Sequence, residues 1–246
     1  SPEEPIRSIL ERKHPITALL EISENMSEFF EKNKWLMSEP DVIVFERDLL
    51  LFCMFPTQPL RISMFAKMTY RADNTGHLYQ KQDGCWAIKF LSSDFKNEKG
   101  AASDKDYDIP LEKELWPNVE HFLNDVRSLF NDDRPNVFVG VVKGRKDQIA
   151  KRKDGRGDVD NLSRQVKKRS QQFLPGCPGL GPHGVRHIVA TDYIKNNPNG
   201  FQVAADILHD RLDTVMKHYA HLKAVDGHKF YQEWFAKVRN EWRNEA

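Results

Sequence analysis

Cysteine is scarce in this chain. Cys53, Cys85 and Cys177 are odd in number and far apart, which argues against a disulfide framework and fits no zinc-ligand spacing. They are expected as small buried hydrophobes in a reducing compartment. No apolar run approaches the roughly 20 residues that cross a bilayer, and no secretory leader opens the chain. Internal repeats and low-complexity tracts are missing, and the acidic residues form no cluster with metal-ligand spacing. A net charge of only +1 says nothing by itself about a polyanionic partner.

What is present is ample for a folded core. The 246 residues are 39% hydrophobic and 30% charged, which suits one large domain or two small ones and excludes disorder throughout. Charge is unevenly spread. Residues 143–170 hold eleven Lys/Arg against four Asp, a local balance of +7 that leaves −6 for the remainder. Such a segment matches the electrostatic footprint of nucleic-acid binding, and equally a solvated charged loop. Its candidate phosphate contacts are Lys143, Arg145, Lys146, Lys151, Arg152, Lys153, Arg164, Lys167 and Lys168.

Periodicity predicts a mainly helical protein. Leu19, Ile22, Met26 and Phe29 recur at helical spacing, so residues 16–31 are expected as an amphipathic helix. The apolar stretch 42–55 reads as a buried helix closed by Pro56 and Pro59, and a further helix is expected over 61–70. Residues 85–91 are rich in strand formers; after a long polar loop at 92–106, residues 107–111 return as an edge strand that tolerates Pro110. Helices follow at 112–130, 159–173, 183–196, 202–210, 212–222 and 229–242, with 136–142 either a short strand or an extended loop. The pattern is α+β: mostly helix, with one small antiparallel sheet inserted in a continuous domain. Residues 1–15 are expected as a linker or cloning remnant, 16–227 as the domain, and 228–246 as a C-terminal helix.

The most informative residues lie in the second half. His183 and Arg186, in Gly181-Pro182-His183-Gly184-Val185-Arg186-His187, are three apart and share a helix face. His209 follows 23 residues after Arg186, and Tyr219 follows 10 after His209, in Tyr219-Ala220-His221; far upstream, Arg61 stands in Arg61-Ile62-Ser63. Each alone is compatible with a structural role, and it is their order and spacing that sets them apart. The set resembles the tyrosine recombinases, or phage-type integrases, whose pattern is Arg-x-Ser, a lysine on a β-hairpin, His-x-x-Arg-His, a His or Trp, and Tyr-x-His. The resemblance covers about residues 16–222, the family's catalytic domain. It departs from the pattern in three places. Met64 stands where an acidic residue usually follows the first Arg, Leu208 stands where a Gly usually precedes the His, and the hairpin lysine is open among Lys96, Lys99 and Lys105. Lys99 is favoured because Lys99-Gly100 resembles the family's turn.

The chemistry explains the residue types. A tyrosine hydroxyl, with a pKa near ~10, is a poor nucleophile for a phosphodiester without help. Charge growing on the non-bridging oxygens needs fixed cations, and two arginines supply bidentate donors that stay charged. Arg61 and Arg186 are the candidate clamp, and Tyr219 the candidate nucleophile. The resemblance implies Lys99 as the acid that protonates the leaving 5′ oxygen, His183 as an acid/base near the tyrosine, and His209 as a donor to a non-bridging oxygen. His187 is expected to be structural.

It also implies a site-specific recombinase or integrase that cuts and rejoins double-stranded DNA through a 3′-phosphotyrosine, with no metal, ATP or other cofactor. The expected assembly is a monomer when free and a homotetramer on DNA. The expected location is the bacterial cytoplasm, at the nucleoid and away from membranes. The family's separate N-terminal DNA-binding domain is not recognisable here, so weak DNA binding is expected of this piece alone. Helix 228–246, with Trp234, Phe235 and Trp242, is expected to dock either on a neighbouring protomer or on its own domain. A type IB topoisomerase-like relaxing enzyme and a catalytically degenerate DNA-binding module remain open as alternatives.

Overall fold

Two apolar helices build the centre. The computed structural model describes residues 6–141, 156–197, 199–222 and 227–245. In α2 (Thr17–Asn33), Ala18, Leu19, Ile22, Met26 and Phe30 fall on one face and are buried. Helix α3 (Glu39–Met54) starts at Ser38, whose hydroxyl accepts from the Asp41 amide at 3.3 Å, a side-chain cap for an otherwise orphaned donor. Its Phe45, Leu51, Phe52 and Met54 are almost wholly removed from water, each worth about 1.5–3 kcal/mol of transfer free energy. Aromatic contacts carry this core outward through Phe52, Phe55, Phe65, Phe138 and Phe122 in edge-on and stacked pairs.

The short helix α1 (Arg7–Leu10) packs Ile9, with Ile6 just before it, into the same core. That part of the stretch expected as a linker therefore belongs to the domain, because its isoleucines find an apolar surface on α7 (Pro182–Asn196).

The structure is mainly helical with a small open antiparallel sheet of three strands, in the order β1 (Leu78–Gln80), β2 (Trp86–Phe90), β3 (Tyr107–Pro110). The second and third match expectation, with Ile88 opposite Ile109 and Pro110 on the edge. The first was not foreseen, since three residues are too few to show alternation. It is held by β2 and by the Leu78 amide on the Thr69 carbonyl at 2.9 Å, an approach that Gly76 permits, since an added Cβ there would sit 2.6 Å from the same carbonyl oxygen.

Helix α4 (Ile62–Lys67) is shorter than expected. The stretch expected as one helix at 112–130 is irregular. A 3-10 turn leads into α5 (Trp116–His121), followed by a π turn at Phe122–Val126 and a second 3-10 turn ending at Phe130. Cys177 is buried, whereas Cys53 and Cys85 are half-buried; all three are free thiols, and burial pushes the Cys53 thiol up to about 11.

A buried ionic network ties α3 to α6 (Arg156–Phe173). Asp48 accepts from Arg47 Nε and Nη2 at 3.0 and 2.7 Å and from Arg169 Nε at 2.9 Å. Arg47 also donates to the Val139 carbonyl and Asn161 Oδ1, and Asn161 donates to the Val141 carbonyl. Close by, Asp158 accepts from the Gly140 amide and from Arg134. Residues on both sides of 142–155 are thus pinned to α3 and α6.

The last four helices, α7, α8 (Phe201–Leu208), α9 (Leu212–Tyr219) and α10 (Gly227–Glu245), follow the sequence pattern. Ala190, Ile194, Ala204, Ala205, Leu208, Val215 and Tyr219 form a second, smaller core among the first three. On α10, Tyr231, Trp234, Phe235, Val238 and Trp242 are exposed, an apolar face at helical spacing open to solvent. No helix among the described residues is long and apolar enough to cross a membrane.

Candidate active site

The site forms where four connections meet. Arg61 occupies the N-cap position of α4 in extended backbone, so its side chain leaves the helix start instead of joining the helical surface. The turn before it directs the Pro59 carbonyl at Arg186 Nη1. Arg186, on the first turns of α7 after Pro182, is 6% exposed. Its Nη1 donates also to the Leu208 carbonyl at 3.2 Å, and its Nη2 to Asp210 Oδ2 at 2.7 Å. Arg61 approaches the same carboxylate from the other side. Its Nη2 lies 2.8 Å from Asp210 Oδ1 as an ion pair out of hydrogen-bond alignment, and donates to the Lys99 carbonyl at 2.9 Å. Two arginines remote in sequence therefore converge on one carboxylate. Asp210 was missed by sequence reasoning, although an acid beside His209 combined with Met64 was the available signal.

The connection between β2 and β3 lies against this centre. Ala102 N donates to the His209 carbonyl at 3.0 Å, and Arg211 N donates to the Gly100 carbonyl at 3.0 Å. Gly100 has φ +83, and a Cβ there would meet the Thr214 methyl at 3.0 Å, so the turn after Lys99 favours glycine on two counts. Lys99 is exposed beside the arginine pair, Lys96 is exposed, and Lys105 Nζ is 3.7 Å from Asp206 on the surface.

His209 sits in the left-handed region, φ 50, as the C-cap of α8. The conformation that glycine would favour thus falls on His209 itself and not on Leu208. The ring packs on Phe95 at 4.2 Å, and Nε2 lies 3.2 Å from the Lys105 carbonyl. A carbonyl only accepts, so Nε2 carries the proton in this contact.

Burial first, then the Lys105 and Ala102 backbone acting against it, leaves the His209 pKa below the ordinary 6.5. The folded state therefore binds fewer protons than the unfolded chain. The stabilising difference is present above pH 6.5 and is lost as pH falls through that value toward the folded pKa. His209→Asn keeps a residue that tolerates the left-handed backbone. Its stability deficit relative to the parent should shrink between pH 7 and 5, read by urea unfolding, whereas a constant deficit would mean that His209 does not titrate with folding.

His183 is solvent-exposed at the start of α7. Partial desolvation at the helix start, then Arg186, His218 and Arg61, lower its pKa below the ordinary 6.5 against the opposing pull of Asp210, which favours the neutral ring.

Tyr219 ends α9, 5% exposed. Its hydroxyl lies 2.9 Å from His187 Nδ1, with the rings stacked at 5.0 Å. His187, expected to be structural, thus holds the candidate nucleophile, and Arg186 is within electrostatic reach of the same tyrosine. Arg164, Lys167 and Lys168 are exposed on α6, while Arg169 turns inward. Lys143, Arg145, Lys146, Lys151, Arg152 and Lys153 lie outside the described residues. No group of three or more His, Cys, Asp or Glu able to hold a metal occurs among the described residues.

No family profile and no curated protein matches the chain by sequence. Solved structures do match in fold. The XerH site-specific recombinase bound to difH substrate, in a pre-cleavage complex, aligns with 87% of this chain at 17% identity and TM-score 0.55. The same recombinase in a post-cleavage complex on palindromic difH substrate aligns with 92% at 16% identity and TM-score 0.54. The chain spans about half the length of these recombinases, 51% and 52% respectively.

Proposed function

We propose that this chain is the catalytic part of a tyrosine recombinase that breaks and rejoins double-stranded DNA through a 3′-phosphotyrosine at Tyr219. The observation that carries the reading is the convergence of Arg61 and Arg186 on one anionic group, in a fold shared with recombinases bound to DNA. Two guanidinium groups fixed side by side are what a phosphodiester requires, because negative charge grows on its non-bridging oxygens during attack.

In this reading Tyr219 Oη attacks phosphorus, His183 takes the hydroxyl proton, and Lys99 protonates the departing 5′ oxygen. The new ester conserves the energy of the broken bond, so a free 5′ hydroxyl can reverse the step on another strand without ATP. His209 contributes by holding the Lys99 loop through the Lys105 carbonyl. The tyrosine hydroxyl, held by His187 in the smaller core, meets a phosphodiester only after the end of α9 shifts. Exposed basic residues on α6 would follow the DNA backbone, giving the affinity a steep salt dependence. Assembly as a tetramer on DNA would cover the aromatic face of α10.

Covalent trapping tests the reading. Nicked suicide duplexes with a randomised central sequence should yield a DNA adduct on a denaturing gel, lost completely in Tyr219→Phe. An adduct that persists in the variant would assign the wrong tyrosine, and a parent chain that never forms one would sink the enzyme.

A further inference from the structure

We infer that Asp210 is the positioning residue of the arginine pair, taking the place of the carboxylate that Met64 cannot supply. The inference rests on the reading of Arg61 and Arg186 as a phosphate clamp. Met64 is wholly buried and offers no charge. Glu98 is a poor substitute, 3.9 Å from Arg61 Nε and already accepting from Ser63 Oγ at 2.6 Å. Asp210 instead gives one oxygen to each arginine, at 2.8 and 2.7 Å.

Its backbone is held firmly enough for the task. The Asp210 amide donates to the Ala205 carbonyl at 2.9 Å, and the residue pairs with Ala101 in an isolated bridge. The two flanking hydrogen bonds, from Ala102 N to the His209 carbonyl and from Arg211 N to the Gly100 carbonyl, sew the same segment to the Lys99 turn. The position of Asp210 thereby sets both arginines and the loop that carries the candidate acid.

Burial separates this role from the rival one, in which Asp210 blocks the site as a phosphate mimic. The Asp210 side chain is 9% exposed, between 20% for Arg61 and 7% for Arg186, and its Oδ1 is buried, so the carboxylate lies deeper than Arg61 and level with Arg186 and not at the mouth. Arg186 uses Nη1 on the Pro59 and Leu208 carbonyls and one Nη2 hydrogen on Asp210, and no bond from Nε occurs among the described residues. Donors therefore remain for an incoming anion. Charge points the same way. One carboxylate between two guanidinium groups halves their net charge, so Asp210 weakens the pull on a ground-state phosphodiester while fixing the geometry that serves the transition state.

The roles divide on the split between binding and rate. In Asp210→Asn, affinity for the nicked duplex should stay level or tighten, while single-turnover adduct formation falls on the order of 10- to 100-fold, the range seen when the outer partner of a site ligand is removed. The same change in an Arg61→Ala background should cost less than in the parent, because only the part of the effect that runs through Arg186 remains. Asp210→Glu should recover part of the rate. Cleavage by Asp210→Asn at or above the parental rate would overturn the proposal, as would parallel losses in affinity and rate.

Side-chain nitrogen NMR of the arginines in the DNA-free 246-residue chain gives an answer that needs no activity. Two guanidinium groups, assigned through Arg61→Lys and Arg186→Lys, should rotate slowly in the parent and faster in Asp210→Asn, with the smaller change at Arg186, which keeps the Pro59 and Leu208 carbonyls. Free rotation in the parent would overturn the proposal even if Asp210→Asn failed to fold. Restricted rotation in a chain that forms no adduct would leave Asp210 in its place and remove the recombinase reading instead.

Discussion

Arg186→Ala is expected to lower single-turnover adduct formation by about 10²–10³-fold, the usual consequence of deleting a preorganised donor to a developing oxyanion. The fold should pay less. Asp210 keeps Arg61 as a counter-ion at 2.8 Å, but the Pro59 and Leu208 carbonyls lose their donor, which costs about 1–3 kcal/mol. Arg186→Lys separates the two effects. Lysine keeps the charge as a point without the planar fork that serves three acceptors in fixed directions. Its rate should resemble that of the alanine variant while its urea midpoint stays closer to the parent. A lysine variant as fast as the parent would take Arg186 out of the clamp.

Asp48→Ala should be the most destabilising single change in the main core. Asp48 is 1% exposed and is the carboxylate that faces both Arg47, at 0% exposure, and Arg169, at 7%. Removing one partner of a buried pair costs about 3–5 kcal/mol, a large share of a total that is typically about 5–15 kcal/mol. Two cations are left here, although Arg169 also lies 4.5 Å over the Phe45 ring. Glu28→Ala is the matched surface control. Its pair with Lys32 is 3.8 Å apart and mostly exposed, so the change should fall within about 1 kcal/mol of the parent. Equal urea midpoints for the two variants would show that water reaches the Asp48 network. Loss at Asp48 should also free the residues on both sides of 142–155, through Val139, Val141 and Asn161, making proteolysis there faster than in the parent.

Local pattern reached a long way into this chain. Burial follows periodicity directly, so Leu19, Ile22 and Met26 announced the inner face of α2, and the strand formers at 85–91 announced β2. Pro182 marked the start of α7, and the spacing from His183 through Tyr219 marked the candidate site. Short or irregular elements carry too few residues for such a signal. The three residues of β1 are an example, as is the π turn at Phe122–Val126. Ile6 and Ile9 are another, since two isoleucines become core only when a partner surface exists.

Residue types, their order and the mainly helical character could therefore be read from the linear chain, because each depends on neighbours a few positions away. Which carboxylate meets which arginine could not. Asp210 lies 149 positions from Arg61 and 24 from Arg186, and only the docking of the Lys99 loop on the His209 segment closes that triangle. The same holds for His187, whose one-residue offset from Arg186 predicted a different side of the helix but not that Tyr219 waited there. Ion pairs and hydrogen bonds act over a few ångströms and are indifferent to separation along the chain, so these partners were decided by packing alone.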